Sequence, residues 1–211
     1  MTKIRFAACA AVFAMLPAGL SFAEDKVSAP AAEMHAKDKM MTMSAEQCIA
    51  DWKPGPMKAA KAMMEKYGEP SGVTPNCLIW TDKAPFAEII LLNEEIQHDF
   101  PMPHKDYLEH VVNFKVPADK VGELAEFDGS IVVDRTRGTL SARCDTEEHN
   151  LLALNLAWDI INGKKNVEEA RKAYGEIAMK DMKGEKGEYL TKLMFQPMPS
   201  AGDPDMTMKK M

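Results

Sequence analysis

The chain has 211 residues, with 26 basic and 32 acidic side chains and a net charge of −6. An acidic surface repels phosphate backbones and anionic lipids, so the composition argues against a nucleic-acid partner and a membrane-surface role. Apart from the first residues no stretch approaches 18 apolar residues, so we expect no membrane-spanning helix after that point.

The first 23 residues have the pattern of a cleaved secretory signal peptide. Lys3 and Arg5 precede an apolar run over residues 6–16, which is too short to span a bilayer, and small residues at positions 21 and 23 suit cleavage after Ala23. We therefore expect an exported protein, periplasmic or secreted, without membrane insertion after cleavage. Loss of Lys3 and Arg5 leaves 24 basic and 32 acidic residues, a net charge of −8.

Three segments follow the signal peptide. Residues 24–43 are rich in Met, Ala and Lys and lack apolar periodicity, which predicts a disordered linker. Residues 44–179 carry helix and strand signals and form the expected single domain. Residues 180–211 are charged and rich in methionine, and we expect a tail in which the apolar residues 189–195 could dock as a short helix.

The elements of this domain predict an α+β fold. Short connections favour a mostly antiparallel sheet of about five strands, packed against two to four helices. Arg137 and Gly138 predict a two-residue hairpin turn, because glycine suits its second central position. Helices are expected over residues 44–52, 56–67, 117–127, 145–162 and 166–179, and strands over residues 77–80, 86–92, 107–116, 130–136 and 139–144.

Three cysteines remain after the signal peptide. Cys48, Cys77 and Cys144 are an odd number, which in an oxidising compartment indicates either one disulfide and one free thiol or three buried thiols. If a disulfide forms, Cys48 with Cys77 is the pairing we favour. The sequence leaves both alternatives open.

The run FDGSIVVDRTRGTLSARCDTEEHNLLALNLAWDIINGKKNVEEAR covers residues 127–171, and HDFPMPH precedes it at residues 98–104. This sequence resembles a family of uncharacterised exported bacterial proteins that share an SARCD-to-LALNLA core. The resemblance extends toward residues 57–178 and implies a shared fold. Because that family has no established activity, the resemblance implies no function.

Methionine is concentrated outside the predicted domain. Thioether sulfur selects Cu(I), so the methionines could make the chain a Cu(I) or soft-metal binding protein. The alternative is that flexible segments simply tolerate methionine. The candidate ligands in the two flanking segments are Met34, His35, Met40, Met41, Met43, Met206, Met208 and Met211.

Histidines recur around the proline-rich segment at residues 98–104. A loop followed by a strand could bring His98 and His104 together as metal ligands, although both could equally lie in a surface loop. His110 shares a strand face with Leu108 and Val112, which favours a histidine buried in the core.

Cys144 precedes a helix on which His149 lies one turn further along. A thiol at a helix N-terminus with a histidine nearby could act as a nucleophile, so Cys144 and His149 are the candidate catalytic residues of a small thiol-dependent enzyme. However, the hairpin places Cys144 on the apolar face, where a buried structural thiol is the favoured interpretation. Asp145 would also raise the pKa of the thiol by charge repulsion.

No established catalytic motif occurs in the chain. It contains no phosphate-binding loop, dinucleotide fingerprint, G-x-S-x-G or C-x-x-C pattern. We therefore expect a non-catalytic binding domain whose partner is a small ligand, a metal ion or a protein. Cu(I) is the one cofactor that the sequence suggests, and an adaptor whose tails order on a protein partner is a further alternative.

Overall fold

A six-stranded antiparallel sheet forms the centre of the computed structural model, which describes residues 43–207. The predicted signal peptide, the predicted linker up to residue 42 and residues 208–211 lie outside this range. The strands are β1 Gly72–Thr74, β2 Cys77–Lys83, β3 Phe86–His98, β4 His104–Asn113, β5 Ile131–Asp134 and β6 Thr139–Cys144. The helices are α1 Ala45–Ile49, α2 Pro54–Tyr67, α3 Val121–Phe127, α4 Glu147–Ile161 and α5 Val167–Asp181, with 3-10 helices at Ala118–Lys120 and Glu188–Leu190.

The sheet has the order β1-β2-β3-β4-β6-β5, and every neighbouring pair is antiparallel. The predicted α+β class is confirmed. The expected count of about five strands misses β1, because three residues are too few to show an alternating pattern. None of the helices within residues 43–207 is both long and apolar enough to cross a membrane.

The core lies between one face of the sheet and the helices. Side chains alternate along a strand, so Leu78 and Trp80 of β2 and Leu108 and Val112 of β4 point into the core and are fully buried or nearly so. Helix α4 is buried around most of its circumference, because it lies between the sheet on one side and α5 and the Glu188–Leu190 turn on the other.

The β3–β4 hairpin is longer than the sequence analysis predicts. Strand β3 continues past Leu92 to His98, and β4 begins at His104 rather than at Tyr107. The register shifts between Leu91 and Ile96, which marks a bulge. The bulge interrupts the alternating pattern, so the sequence analysis ended the strand too early. Consequently His98 and His104 are cross-strand partners at the end of the hairpin.

The predicted two-residue turn between β5 and β6 is wrong. Asp134 pairs with Thr139, so four residues connect the strands, and Gly138 has a φ of +75°. The observed register of β5 against β6 therefore differs by two residues from the predicted register. A shift of two keeps every side chain on its face, so Leu140 and Cys144 still point into the core as expected.

The helix caps follow the sequence closely. Ser44 with Gln47 and Asn166 with Glu169 form capping boxes at the starts of α1 and α5, as predicted. At α4 the N-cap is Thr146, one residue later than expected, because its hydroxyl accepts the hydrogen bond from the His149 amide. Asp145 is thereby free to contact the His149 side chain instead.

Residues beyond the predicted domain end also pack against it. The Glu188–Leu190 turn places Leu190 in the core, and Asn155 of α4 donates hydrogen bonds to the carbonyls of Tyr189 and Lys192. Further on, Ala201 is buried against Gly138, where an added Cβ would lie 2.1 Å from the Ala201 carbonyl carbon. Leu190 therefore belongs to the core, and Ala201 is buried against the β5–β6 connection.

All three cysteines within the described range are unpaired thiols. Cys48 and Cys144 are buried, and Cys77 is half-buried. The Cys48 thiol donates a hydrogen bond to the Thr74 carbonyl at 2.8 Å, next to Cys77 in the β1–β2 pairing. Of the two alternatives that the sequence left open, the structure corresponds to three free thiols, with Cys77 half-buried rather than buried, and the conditional Cys48–Cys77 pairing is not formed.

Candidate metal centre

Six metal-ligating side chains converge where the β3–β4 hairpin and the end of β6 meet α4. They fall into two groups, and within each group the ligand atoms lie within 4.8 Å of one another. We call the six residues the central cluster: His98, His104 and Asp106 form its first group, and Cys144, Asp145 and His149 form its second.

The pairing of strands explains why these residues meet. His104 and Asp106 lie two positions apart on β4, so both side chains point to the helix-covered face. Leu108, two positions further, pairs with Cys144 of β6, which brings the thiol to the same face beside His104. One turn of α4 then carries His149 back over Asp145.

His104 connects the two groups. Its Nε2 lies 3.1 Å from Asp106 Oδ1 and 3.3 Å from Cys144 Sγ. Its Nδ1 lies 2.8 Å from the Met102 carbonyl, and since a carbonyl only accepts, Nδ1 carries the proton of the neutral ring. The Nε2 lone pair then points toward the carboxylate and the sulfur, the arrangement that metal-binding histidines use.

Asp106 is a buried carboxylate with one oxygen that lacks a hydrogen bond. Its exposed fraction is 1%, its Oδ2 accepts a short hydrogen bond from Ser130, and its Oδ1 has no hydrogen-bond partner although His104 Nε2 is close. A buried carboxylate oxygen without a donor is costly. The polar atom beside Asp106 Oδ1 is His104 Nε2 at 3.1 Å, which donates a proton to it when the ring is protonated and leaves it beside a nitrogen lone pair when the ring is neutral.

His98 is held between two buried acids. Its Nδ1 lies 3.2 Å from Asp106 Oδ2, and its Nε2 lies 3.6 Å from Asp128 Oδ1. Asp128 comes from the connection between α3 and β5 and accepts a hydrogen bond from the Ser130 amide. Burial raises the pKa of Asp128. His98 and His104 stack with ring centroids 4.8 Å apart.

The second group has its own supporting acids. His149 Nδ1 lies 3.0 Å from Asp145 Oδ1, and its Nε2 lies 3.6 Å from Asp181 Oδ2 at the end of α5. The Cys144 thiol donates to Asp145 Oδ1 at 3.5 Å. Carboxylates that hold an imidazole in this way fix its orientation and raise its basicity as a ligand.

His104 and His149 each bind a proton tightly when no other cation is present. Burial by itself lowers the pKa of His104, but contacts with Asp106 and Cys144 outweigh it and raise the pKa to about 11. Burial likewise lowers the pKa of His149, while Asp145 and Cys144 raise it to about 10. Burial by itself raises the pKa of Asp106, but hydrogen bonds from His104 and Ser130 and the charge of His98 hold that pKa below its ordinary value.

The cluster contains more acids than bases. Four carboxylates belong to it or touch it, and within residues 43–207 their ion-pair partners are histidines, never a lysine or an arginine. With neutral imidazoles the region carries a surplus of negative charge in a buried setting, which a bound cation would offset. The four acids are Asp106, Asp128, Asp145 and Asp181.

A small cavity opens onto the cluster. Its volume is about 130 Å³, and its lining includes His104, Cys144 and His149 together with Met102, Tyr174 and Met182. Phe100 holds the adjacent lining residues 101–103 in place. Its ring packs against Tyr174 of α5 and lies 3.8 Å beneath the Arg171 guanidinium. The cavity gives a small ligand access to the cluster.

The structure brings together His98, His104, Cys144 and His149, which the sequence analysis treats as two separate candidate sites. His110 is fully buried in the core, as expected. Met43 and Met206 are exposed, with 48% and 94% of their surface accessible. The remaining methionine-segment candidates, Met34, His35, Met40, Met41, Met208 and Met211, lie outside the described residues.

The sequence analysis proposed none of Asp106, Asp128 and Asp181 as a ligand. Asp106 stands between His104 and His110 in the sequence and lies on the face of β4 that also carries His110. Asp128 follows α3, Asp181 is the last residue of α5, and neither carries a periodic signal. Their approach to His98 and His149 depends on tertiary packing.

No family model, curated protein or solved structure matches this chain. The similarity of residues 127–171 to exported bacterial proteins therefore stays a prediction.

Proposed function

We propose that this chain is an exported metal-binding protein that holds one transition metal ion in the central cluster. The observation that carries the proposal is the first group of the central cluster, in which ligand atoms of His98, His104 and Asp106 lie within 4.8 Å of one another and, among residues 43–207, the buried Asp106 forms ion pairs only with histidines. Export rests on the signal-peptide pattern of residues 1–23. Binding rather than catalysis agrees with the absence of a catalytic motif in the sequence.

Ligand spacing supports this proposal. Two ligands at metal distances of about 2.0–2.3 Å in a tetrahedral site lie roughly 3.3–3.8 Å apart. The His104 Nε2 distances of 3.1 Å to Asp106 and 3.3 Å to Cys144 are close to that spacing. An ion adjacent to His104 would thus meet a nitrogen and either an oxygen or a sulfur with little movement of the side chains.

The ligand types indicate the class of ion. Imidazole and thiolate suit Zn²⁺ and copper, whereas Mg²⁺ and Ca²⁺ prefer sites made only of oxygen. Three histidines and one cysteine in the central cluster therefore favour a borderline or soft transition metal ion. Zn²⁺ is the suitable first probe because it has no redox chemistry.

A thiol-dependent enzyme is the second candidate function. Cys144 Sγ lies 3.3 Å from His104 Nε2 and borders a cavity, which is the geometry of a nucleophile with its base. Against it, only 3% of Cys144 is exposed. Alkylation separates the two candidates: a resident ion would protect Cys144 from a small iodoacetamide-type reagent, and stripping the ion would expose it.

Calorimetric titration of the purified, metal-stripped protein with Zn²⁺ tests the proposal. We expect one ion per chain, and Asp106→Asn should weaken binding by about 100-fold because it removes a ligand charge while keeping the side-chain shape. Asp99→Asn is the matched control, since Asp99 is an exposed acid in the same segment that contacts Gln97.

Asp99→Asn should bind Zn²⁺ as tightly as the unchanged protein. If the unchanged protein binds neither Zn²⁺ nor copper above the level of the Asp106→Asn variant, the metal-binding proposal is wrong. In that case Cys144 labelling would become the informative measurement for the enzyme alternative.

A further inference from the structure

The exposed apolar side chains of this protein are nearly all methionine. Among residues 43–207, six large hydrophobic side chains are exposed, and Val132 is the one that is not methionine. Large apolar side chains usually lie inside a fold, so this selection of one residue type needs a cause. The five exposed methionines are Met43, Met179, Met182, Met198 and Met206.

Met182 differs from the other exposed methionines in its position. Its side chain is 74% exposed, yet it lines the cavity that leads to the central cluster. Met102 lines the same cavity and packs partly against the core. The two methionines therefore line the same cavity as the Cys144 thiol and the His104 and His149 imidazoles.

Thioether sulfur discriminates between metal ions. It is neutral and soft, so it binds Cu(I) and contributes little to hard or borderline divalent ions such as Zn²⁺. A combination of two imidazoles, one thiolate and a methionine sulfur is a set that proteins use for copper. His104, His149 and Cys144 line this cavity, and His104 Nε2 lies 3.3 Å from Cys144 Sγ.

We propose that the ion held by the central cluster is copper, taken up as Cu(I) through the cavity, with Met102 and Met182 as its first ligands. This inference rests on the proposed metal-binding function and adds the identity of the ion and its route. It also assigns a role to two methionines of the folded domain, whereas the sequence analysis considered only methionines in the flanking segments.

The route has a simple physical reason. An ion that moves from solvent to a buried site loses its water ligands, and thioethers at the mouth replace some of them without adding a charge that would hold the ion there. The anionic cluster beneath, with Asp106 and Asp145, then binds the cation more tightly than the neutral sulfurs do.

The test is an anaerobic competition between the protein and a chromophoric Cu(I) chelator. The double variant Met102→Leu/Met182→Leu keeps side-chain volume and so keeps the fold. We expect it to take up Cu(I) about tenfold more slowly or more weakly than the unchanged protein, while its affinity for Zn²⁺ stays the same. Met179→Leu/Met198→Leu is the control, because neither residue lines the cavity and both are exposed.

Cys144→Ser separates this site from the other thiols. The Cys144→Ser variant would still bind Cu(I) if the ion were held at Cys48 or Cys77. It would no longer bind Cu(I) if the ion were held in the central cluster. The copper inference is overturned if the cavity and control double variants behave alike, or if binding survives Cys144→Ser. Zn²⁺ binding without Cu(I) binding overturns this inference and leaves the metal-binding function in place, whereas loss of both ions overturns both.

Discussion

Strand β4 carries two buried polar clusters on the same face, and they differ in how the charge of their carboxylates is balanced. One is the central cluster, around His104 and Asp106. The other surrounds His110, six residues further along β4; we call it the α2–α4 network. It consists of Lys66, Tyr67, His110, Glu147 and Asn150.

In the α2–α4 network the buried acid has donors of its own. Glu147 Oε1 accepts from Lys66 Nζ at 2.7 Å, and the Tyr67 hydroxyl lies 3.0 Å from both carboxylate oxygens. His110 is fixed by Asn150, whose amide donates to Nδ1 at 2.9 Å. A lysine therefore balances the charge of this network.

The central cluster has no such cation. Within residues 43–207 its carboxylates form ion pairs only with histidines. The comparison teaches that a buried histidine is not in itself a sign of a binding site. What distinguishes a site is a surplus of electron-pair donors that the rest of the protein leaves unbalanced.

The largest expected effect is the stabilisation of the protein by its ion. Zn²⁺ at about 1,000 times its dissociation constant should raise the free energy of unfolding by about 4 kcal/mol. Asp106→Asn should lose most of this gain while changing the stability of the metal-free protein by less than about 1 kcal/mol. Urea unfolding with and without Zn²⁺ measures both quantities.

If Zn²⁺ stabilises the Asp106→Asn protein as strongly as the unchanged protein, the central cluster does not differ from the α2–α4 network in the way proposed. A large loss of stability without metal would lead to the same conclusion, since it would mean that Asp106 serves the fold in the way that Glu147 does.

The next effect concerns Glu147 and should not depend on metal. Glu147→Gln removes a carboxylate that is 7% exposed and balanced by Lys66, and it should cost about 3 kcal/mol with or without Zn²⁺. Glu65→Gln is the matched control, because Glu65 lies exposed on the same helix as Lys66 and should change stability by less than about 0.5 kcal/mol. Equal costs for both variants would mean that the network contributes nothing.

The smallest expected effect is a dependence of stability on acid. Burial raises the pKa of Glu147, but hydrogen bonds from His110 and Lys66 outweigh it and bring the pKa to about 2, below the ordinary value of 4.5. The stabilisation is therefore complete above pH 4.5 and is lost as the pH falls toward 2. Its size is on the order of 2 kcal/mol.

The measurement is the difference in unfolding free energy between the unchanged protein and Glu147→Gln, followed from pH 6 down to about pH 3. This difference should shrink as the solution becomes more acid. A difference that stays constant would show that Glu147 titrates alike in the folded and unfolded chain.

Much of the fold could be predicted from periodicity and caps. The alternation over residues 108–116 placed His110 in the core, and the capping patterns at Ser44 and Asn166 located two helix starts within one residue. Periodicity failed where the register shift interrupts β3, because three extra residues between Leu91 and Ile96 break the alternating pattern. The tight approach of Ala201 to Gly138 left no periodic signal either.

The central cluster was predictable in parts and not as a whole. Each of His98, His104, Cys144 and His149 was a candidate in the sequence, but for two different functions. What joins them is the pairing of β4 with β6, in which Leu108 lies opposite Cys144. Pairing between strands about 36 residues apart cannot be derived from local patterns, so the sequence could not show that one histidine serves both groups.

The packing of the last described residues determines when the protein can finish folding. Leu190 and Ala201 are buried, and Asn155 in the middle of α4 uses its side chain to hold the backbone near Tyr189 and Lys192. During synthesis the N-terminal part of a chain emerges first. The core of this protein therefore stays open until residue 190 has left the ribosome, and a nascent chain lacking that segment would expose the outer side of α4 to chaperones and proteases.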